Sequence, residues 1–462
     1  MSKAAGRGRD FMQRWMPKGS FARRVGVLAG GTVLSQALLV LSSPLLTRLY
    51  APDQFGVYAA FAAVLTVLLV VASWLYEAAI PLPKEEGKAA DLLVLSLLAV
   101  AVTSGVSWML LTVFGDAVVR AVGTPALKPF LWLLPVTLFG AGCYQALSYW
   151  AIRQQAFGTI AKTKLTQGAS TVGGQVGLGL LAFGPLGLLI GDMIGRFAGS
   201  LSLARLVWRG EGAPLRQVSW RGMAEMAVRY RRFPLLSGGS SILNSLVLQL
   251  PALLLTAFYG VQVVGWYVLA QRVMGVPLQV IGSSMAQVYL AEAAELVKLP
   301  AAEREPKLRR LFWRTAKQML MIGVPIAGAA AVLAPWCFGW IFGSEWREAG
   351  VYVQVLAVMF VLQFVTFPLG GNLFVFERQD LHLIREVCRL LLMAGAIWLA
   401  WHLGYEPLPA ILVLSAAGVI GYLIHLWMSW RSMQYFFKRE IGGDRNGDDT
   451  GADARTDAGA GR

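Results

Sequence analysis

Four charged residues fall inside stretches that are otherwise too apolar for them: Glu77, Asp192, Arg196 and Arg272. A charge at the centre of a bilayer costs at least about 2.5 to 3.5 kcal/mol on insertion scales, so such a side chain faces a cavity or a partner. Asp192 and Arg196 stand four apart, on one helix face, where they can neutralise each other. Arg272 has no acidic residue within a turn and only Gln271 beside it as a polar neighbour. Guanidinium is always charged and forks onto phosphate or carboxylate oxygens, so Arg272 favours an anionic ligand over a cationic one. Arg48, at the outer end of the first apolar span, is either a second positive point on the same route or a snorkelling topology residue. Glu77 and Asp192 are the candidates for a coupling ion or a gate. For Glu77 the alternative is pairing with a basic group such as Lys84.

Neutral polar residues add a candidate lining: Gln36 in the first span, Tyr144, Gln145 and Ser148 in the fourth, and Asn244, Ser245 and Gln249 in the seventh. Each can hydrogen-bond a sugar hydroxyl, and each can equally bond a neighbouring helix. Catalytic chemistry has no comparable signal. There is no HExxH, no GxGxxG following a strand, no Walker lysine loop and no CxxC, so no catalytic residue, metal site or cofactor is expected. His382, His402 and His425 are scattered over the last spans. Cys143, Cys337 and Cys388 lie in or beside different spans and are expected to be free thiols that pack as small apolar residues. The run GLGLLAFGPLGLLIG within 168–195 resembles a phosphate loop only superficially. It lacks a preceding strand and a lysine, and its small residues suit close helix packing.

The elements that carry these residues follow from composition. With 56% hydrophobic and 15% charged residues and a mean hydropathy of +0.57, a chain of 462 residues has too little polar surface to cover a soluble globule. A spanning helix needs about 20 mostly apolar residues. The chain divides into about twelve such segments, near 25–46, 56–80, 91–114, 126–152, 165–183, 186–208, 233–258, 262–288, 318–342, 351–376, 387–403 and 408–430. The runs are too long for barrel strands and do not alternate. The expected fold is an all-α integral membrane protein.

Orientation follows from the basic residues. Apart from Arg196 and Arg272 inside spans, only Arg48, Arg120, Lys128 and Arg347 fall away from the termini and the even-numbered loops. The positive-inside rule then places both termini in the cytoplasm. The same bias accounts for most of the net charge of +15, so no nucleic-acid partner is expected. The first apolar run is too long for a signal peptide and has no small-x-small cleavage site, which makes it a retained helix. The basic arm 1–24, with Phe11, Trp15 and Phe21 between its arginines, is either an interfacial helix on membrane lipids or a disordered tail.

Organisation is punctuated by polar segments. An arginine-rich link at 209–232, with Arg209, Arg216, Arg221, Arg229, Arg231 and Arg232, separates an N-lobe at 25–208 from a C-lobe at 233–436. A mixed-charge stretch, AEAAELVKLPAAEREPKLRRLF, reads as a solvated connector interrupted at Pro300 and Pro306. The tail 437–462 is almost free of apolar residues beyond Ile441 and is expected to be disordered.

Two stretches can be laid over each other without a gap: TRLYAPDQFGVYAAFAAV at 47–64 and TAFYGVQVVGWYVLAQRV at 256–273, 209 residues later. Each lies at the end of one span and the start of the next, and six expected spans separate them. That even number implies a parallel repeat about an axis along the membrane normal. The copies differ in charge: Arg48 stands where Ala257 does, and Ala63 where Arg272 does.

The string LLTRLYAPDQFGVYA, followed after one span by YEAAIPLPK, resembles the opening of the polysaccharide transporter family, the Wzx-type oligosaccharide flippases of the multidrug/oligosaccharidyl-lipid/polysaccharide exporter superfamily. GWYVLAQRVMGVPLQVIGSSMAQVYLAEAAE from Gly265 and FERQDLHL from Phe376 are similar elements, so the resemblance covers about 26–437. It implies fourteen or, more often in this family, twelve helices arranged as two six-helix lobes around a central cavity, a MATE-like and MurJ-like architecture. It further implies alternating access that carries an undecaprenyl-diphosphate-linked oligosaccharide from the inner to the outer leaflet of the bacterial cytoplasmic membrane. A polysaccharide polymerase and export machinery are the implied partners. The family often has an arginine before the Tyr-Glu pair, and here that position is Leu75. On this reading Arg272, with Arg48 or Arg196, meets the diphosphate. The alternatives are a multidrug exporter of the same superfamily, expected to carry acidic cavity residues, and a membrane glycan polymerase or ligase, expected to carry a large external loop.

Overall fold

The computed structural model describes residues 20–209, 218–376 and 379–452. Among them every regular element is helical. The chain runs α1 (Ser20–Leu41), α2 (Ser43–Leu49), α3 (Pro52–Val71), α4 (Glu86–Val122), α5 (Leu133–Arg153), α6 (Phe157–Leu180), α7 (Pro185–Arg209) and α8 (Trp220–Arg229). It continues as α9 (Gly238–Tyr259), α10 (Val261–Ala270), α11 (Val276–Val297), α12 (Ala301–Ile341), α13 (Arg347–Leu369), the short α14 (Asn372–Val375), α15 (Gln379–His402) and α16 (Pro407–Ala452). Prolines mark the starts of α3, α7 and α16, where the missing N–H would have no intrahelical partner.

Nine helical stretches among the described residues are long and apolar enough to cross a membrane, and the chain is a multi-pass membrane protein. The other three expected spans fold as α5, α6 and α15, continuous helices of 21, 24 and 24 residues. Their polar side chains, among them Gln145, Lys164, Gln175 and Arg389, keep them below that composition. The break expected near Gly184 is present: Ala182 and Gly184 both take positive φ, of 57° and 59°, and turn the chain from α6 into α7.

Two expectations are corrected. The second span ends at Val71, not near 80. Trp74 and Leu75 both adopt left-handed backbone (φ 54° and 61°), and a 3-10 turn at Tyr76–Ala79 follows. Pro306 does not interrupt the connector, because α12 runs through it from Ala301, burying Arg304, Leu308 and Phe312 on one side. Only Pro300 marks a helix boundary there. Of the arm 1–24 only 20–24 is described, as the start of α1; 210–217 of the link and 453–462 of the tail lie outside the described residues, and α16 continues to Ala452.

The chain forms two compact units. Over the described residues, one runs up to Arg272 and takes in Trp336–Ala349, and the other joins Val273–Pro335 to the chain from Gly350 onward. In contact terms the boundary therefore falls at Arg272, while the sequence places a lobe boundary at 209–232. The reason lies in the repeat. Its two copies cross each other: a Cβ on Gly56 would stand 1.8 Å from the Val261 carbonyl oxygen, and one on Gly265 would stand 1.9 Å from that of Pro52. These two contacts are the same contact twice, since 52 and 56 become 261 and 265 on adding the 209-residue period. Glycine is required at both because only hydrogen fits at such an approach. Through this crossing α9 and α10 pack on α3 and join the first unit. The loop before α13 completes it, with the Trp346 indole N–H donating to the Thr47 carbonyl (3.1 Å) and its ring edge-on to Phe55 at 4.9 Å.

In the second unit α15 and α16 pair extensively. A buried chain of hydrogen bonds fixes the break at α14. The Tyr289 hydroxyl donates to Asn372 Oδ1 (2.8 Å), Asn372 Nδ2 to Ser429 Oγ (3.2 Å), and Ser429 Oγ to the Leu369 carbonyl (2.7 Å).

Candidate substrate-binding site

The site in the first unit is built on the glycine-rich helices. Gly187, Gly191, Gly195 and Gly199 recur every fourth residue and so form one stripe along α7. Along that stripe Gly187 meets the Tyr50 hydroxyl, Gly191 meets Gln175 and Gly195 meets Thr171, in every case closer than a Cβ would allow. The glycines therefore serve helix packing, as their apolar context suggests, and seat α7 closely against α6. Tyr50 closes the end of this seam by donating to the Gln175 carbonyl at 2.6 Å.

Beside the glycine stripe α7 carries Asp192 and Arg196. Arg196 Nε donates to Asp192 Oδ2 at 2.7 Å, and Asp192 is only 7% exposed. The pairing expected from the four-residue spacing is formed. Arg272 lies close enough to interact electrostatically with Asp192 and with Tyr58 of α3, and Tyr58 interacts with all three charges and borders Gln175. Arg272 is half-buried. No carboxylate among the described residues reaches ion-pair distance from it; the Asp192 charge is already engaged by Arg196. The group holds two guanidiniums and one carboxylate, a net positive site walled by a tyrosine and a glutamine.

The backbone at Arg272 is also special. Between α10 and α11 the chain makes one π-helical turn over Gln271–Gly275. Pro277 supplies the cause, since it cannot donate to the carbonyl four residues back and its ring crowds that carbonyl, so the turn widens. Gln271 is held by its own helix, its Nε2 donating to the Tyr267 hydroxyl at 2.8 Å.

The other expected site residues are placed as follows. Arg48 is exposed at the end of α2, and no contact among the described residues joins it to the Arg196–Arg272 group. Gln36 and Gln249 are half-buried, and Asn244 is exposed. Tyr144 shares a hydrogen bond with Thr163 Oγ1 (3.4 Å), and Ser148 Oγ donates to the Tyr144 carbonyl, so both serve the packing of α5. Gln145 Nε2 donates to Glu77 Oε1 at 2.8 Å. The alternative of a basic partner such as Lys84 is therefore not the one formed. Glu77 is 1% exposed, the left-handed turn at Trp74–Leu75 folds Ser73 Oγ back as a second donor, and no cation among the described residues is within ion-pair distance.

Two groups escape the sequence reading. Lys164 on α6 donates to Thr32 Oγ1 of α1 at 3.1 Å. In the second unit Arg385 lies 3.0 Å from His425 Nε2 and contacts Glu386, which Arg389 approaches at 3.7 Å. Lys164, Arg385 and Glu386 stand one or two residues beyond the apolar runs that define spans 165–183 and 387–403, so a hydropathy boundary assigns them to loops.

Comparison with known proteins gives the fold and the family. The succinoglycan biosynthesis transport protein ExoT of Rhizobium meliloti (strain 1021) is 24% identical over 349 residues, 73% of this chain and 66% of that protein. An inward-facing multidrug resistance MATE family transporter of the MOP superfamily superposes with a TM-score of 0.69 at 16% identity, covering 87% of this chain and 96% of that one. The lipid II flippase MurJ in an inward closed conformation gives 0.64 at 12% identity, covering 90% and 92%. Both likenesses show the shared fold. The family model described as polysaccharide biosynthesis protein matches residues 45–351, more than half of the sequence and both copies of the internal repeat, and the chain belongs to that family.

Proposed function

We propose that this protein is a flippase that moves an undecaprenyl-diphosphate-linked oligosaccharide from the inner to the outer leaflet of the bacterial cytoplasmic membrane, for polysaccharide export. The observation that carries the reading is the uncompensated Arg272 guanidinium beside the Asp192–Arg196 pair in the interior of a membrane protein. Such a substrate has two phosphates that cannot cross hydrocarbon unaided, a glycan that needs a wet cavity, and a polyprenyl tail that stays in lipid. Arg272 takes a phosphate by forked hydrogen bonds. Arg196, held by Asp192, adds positive potential without leaving its partner, and Tyr58 and Gln175 offer hydrogen bonds beside them. A cationic drug would meet net positive charge at this point, which disfavours the multidrug alternative.

Alternating access completes the proposal, with lobes 25–208 and 233–436 opening in turn about the Gly56–Gly265 crossing. Of the two acidic candidates, Glu77 is the better coupling group, because neutral donors alone hold it, whereas the Asp192 charge is matched by Arg196. Both termini lie in the cytoplasm, and the polymerase of the same glycan is the natural partner on the outer face.

The test is transport of a labelled polyprenyl-diphosphate oligosaccharide in proteoliposomes. Arg272→Ala at unchanged protein level is expected to lose at least about tenfold in rate, the loss of one charge-assisted bond of about 1.5 to 3 kcal/mol. Arg272→Lys is expected to recover part of it, since an ammonium keeps the charge without the fork. Full activity of the alanine variant would remove Arg272 from the mechanism. Transferase activity of the purified protein on a lipid-linked glycan would overturn the flippase reading.

A further inference from the structure

The arginine-rich link, over its described part, contains an ordered helix with three different faces. Ser219 caps α8, its hydroxyl accepting the Gly222 N–H at 3.0 Å while its own N–H donates to Asp91 Oδ1 at 3.1 Å. Gly222 then lies so close to Asp91 that a Cβ would stand 2.2 Å from Oδ2. Toward the other end the Tyr76 hydroxyl donates to the Ala227 carbonyl at 3.2 Å. Met223 and Met226 are buried, Met226 in a core with Tyr76, Leu93 and Trp150. One face of α8 is thus fastened to the unit.

The second face is apolar and open. Trp220, Ala224 and Val228 follow at four-residue intervals and form one stripe, with Trp220 78% and Val228 65% exposed. Beyond that stripe comes a polar edge of Arg221, Glu225 and Arg229, followed by Arg231 and Arg232, all exposed. Four arginines face one glutamate. Asp91 stands near the start of the α4 span, and Tyr76 just past the end of α3, so α8 is held at the level where spans leave the hydrocarbon. An exposed tryptophan stripe flanked by arginines matches one environment: apolar chains below, anionic headgroups above.

We propose that α8 is a membrane-interface helix that binds anionic phospholipid, its Trp220–Ala224–Val228 stripe among the acyl chains and Arg221, Arg229, Arg231 and Arg232 on the lipid phosphates. The inference is independent of what the protein transports. To test it, the full chain with Val228→Cys, and with Cys143, Cys337 and Cys388 replaced by Ala, is labelled with an environment-sensitive fluorophore. It is then reconstituted into phosphatidylcholine vesicles with and without phosphatidylglycerol. The expected result is blue-shifted emission and shielding from iodide, both stronger with phosphatidylglycerol and both reduced by high salt, which screens headgroup attraction. Replacing the four arginines by Gln removes the phosphatidylglycerol effect; the salt series reports the same dependence without any substitution. A label equally open to iodide in both vesicles and in detergent overturns the proposal. So does shielding that is unchanged by phosphatidylglycerol, salt and the arginine substitutions, which would identify the stripe as a protein contact or a lipid contact blind to charge.

Discussion

At the scale of single residues the charges inside this membrane protein divide by how they are compensated. Asp192 and Arg196 neutralise each other at 2.7 Å, Glu77 is held by neutral donors, and Arg272 has only distant help from Asp192. Asp192→Asn leaves the half-buried Arg196 without its counter-charge and is expected to cost up to about 3 kcal/mol, read as a lower unfolding midpoint in detergent. A midpoint unchanged from wild type would mean that water reaches Arg196 freely. Glu77→Gln keeps the shape and can still bond Ser73 and Gln145, so it is expected to fold with a near-normal midpoint. If Glu77 carries the coupling ion, the same variant transports at a rate that no longer responds to an imposed proton or sodium gradient; a preserved response to both would exclude Glu77 from coupling.

Helices explain where these side chains point. Asp192 and Arg196 keep their register because a glycine stripe seats α7 on α6, and Arg272 is turned by the π-helical step that Pro277 imposes. Pro277→Ala restores a backbone donor in the helix interior and removes a ring clash. It is expected to leave the unfolding midpoint unchanged or raised while transport falls, because an ordinary α-helical turn would aim Arg272 elsewhere. Transport at the wild-type rate would show that the widened turn does not set the direction of Arg272. Few of these elements resist sequence reading outright. The α6–α7 break was legible from Gly184 and Pro185, whereas the turn at Trp74–Leu75 was not, since neither residue type favours positive φ.

At the largest scale the crossing of the two repeat copies is the contact that organises the first unit. Gly265→Ala puts a carbon against the Pro52 carbonyl, so the backbones must separate; a destabilisation of about 1 to 3 kcal/mol is expected. Gly105→Ala is the control, since nothing lies within 4 Å of its Cβ position, and helix propensity there predicts a gain of up to about 1 kcal/mol. Equal midpoints for the two variants would deny the crossing its structural role.

The sequence by itself determined the membrane class, the helical fold, the repeat and the short list of costly charges. Each of these follows from composition and spacing along one chain: hydrocarbon excludes unpaired backbone and unpaired charge, so helices and rare ionised residues stand out without coordinates. Only the tertiary structure decided which charges share a site. That Arg272 lies in the field of Asp192 and Tyr58, and that Glu77 bonds Gln145 and not Lys84, depend on residues 68 to 214 positions apart in the chain, and so does the separation of Arg48 from that group. Nothing local encodes such distances. They arise because glycines let α7 seat on α6 and let the two repeat copies cross, and the approach of backbones is a property of packed pairs, not of either strand of sequence alone.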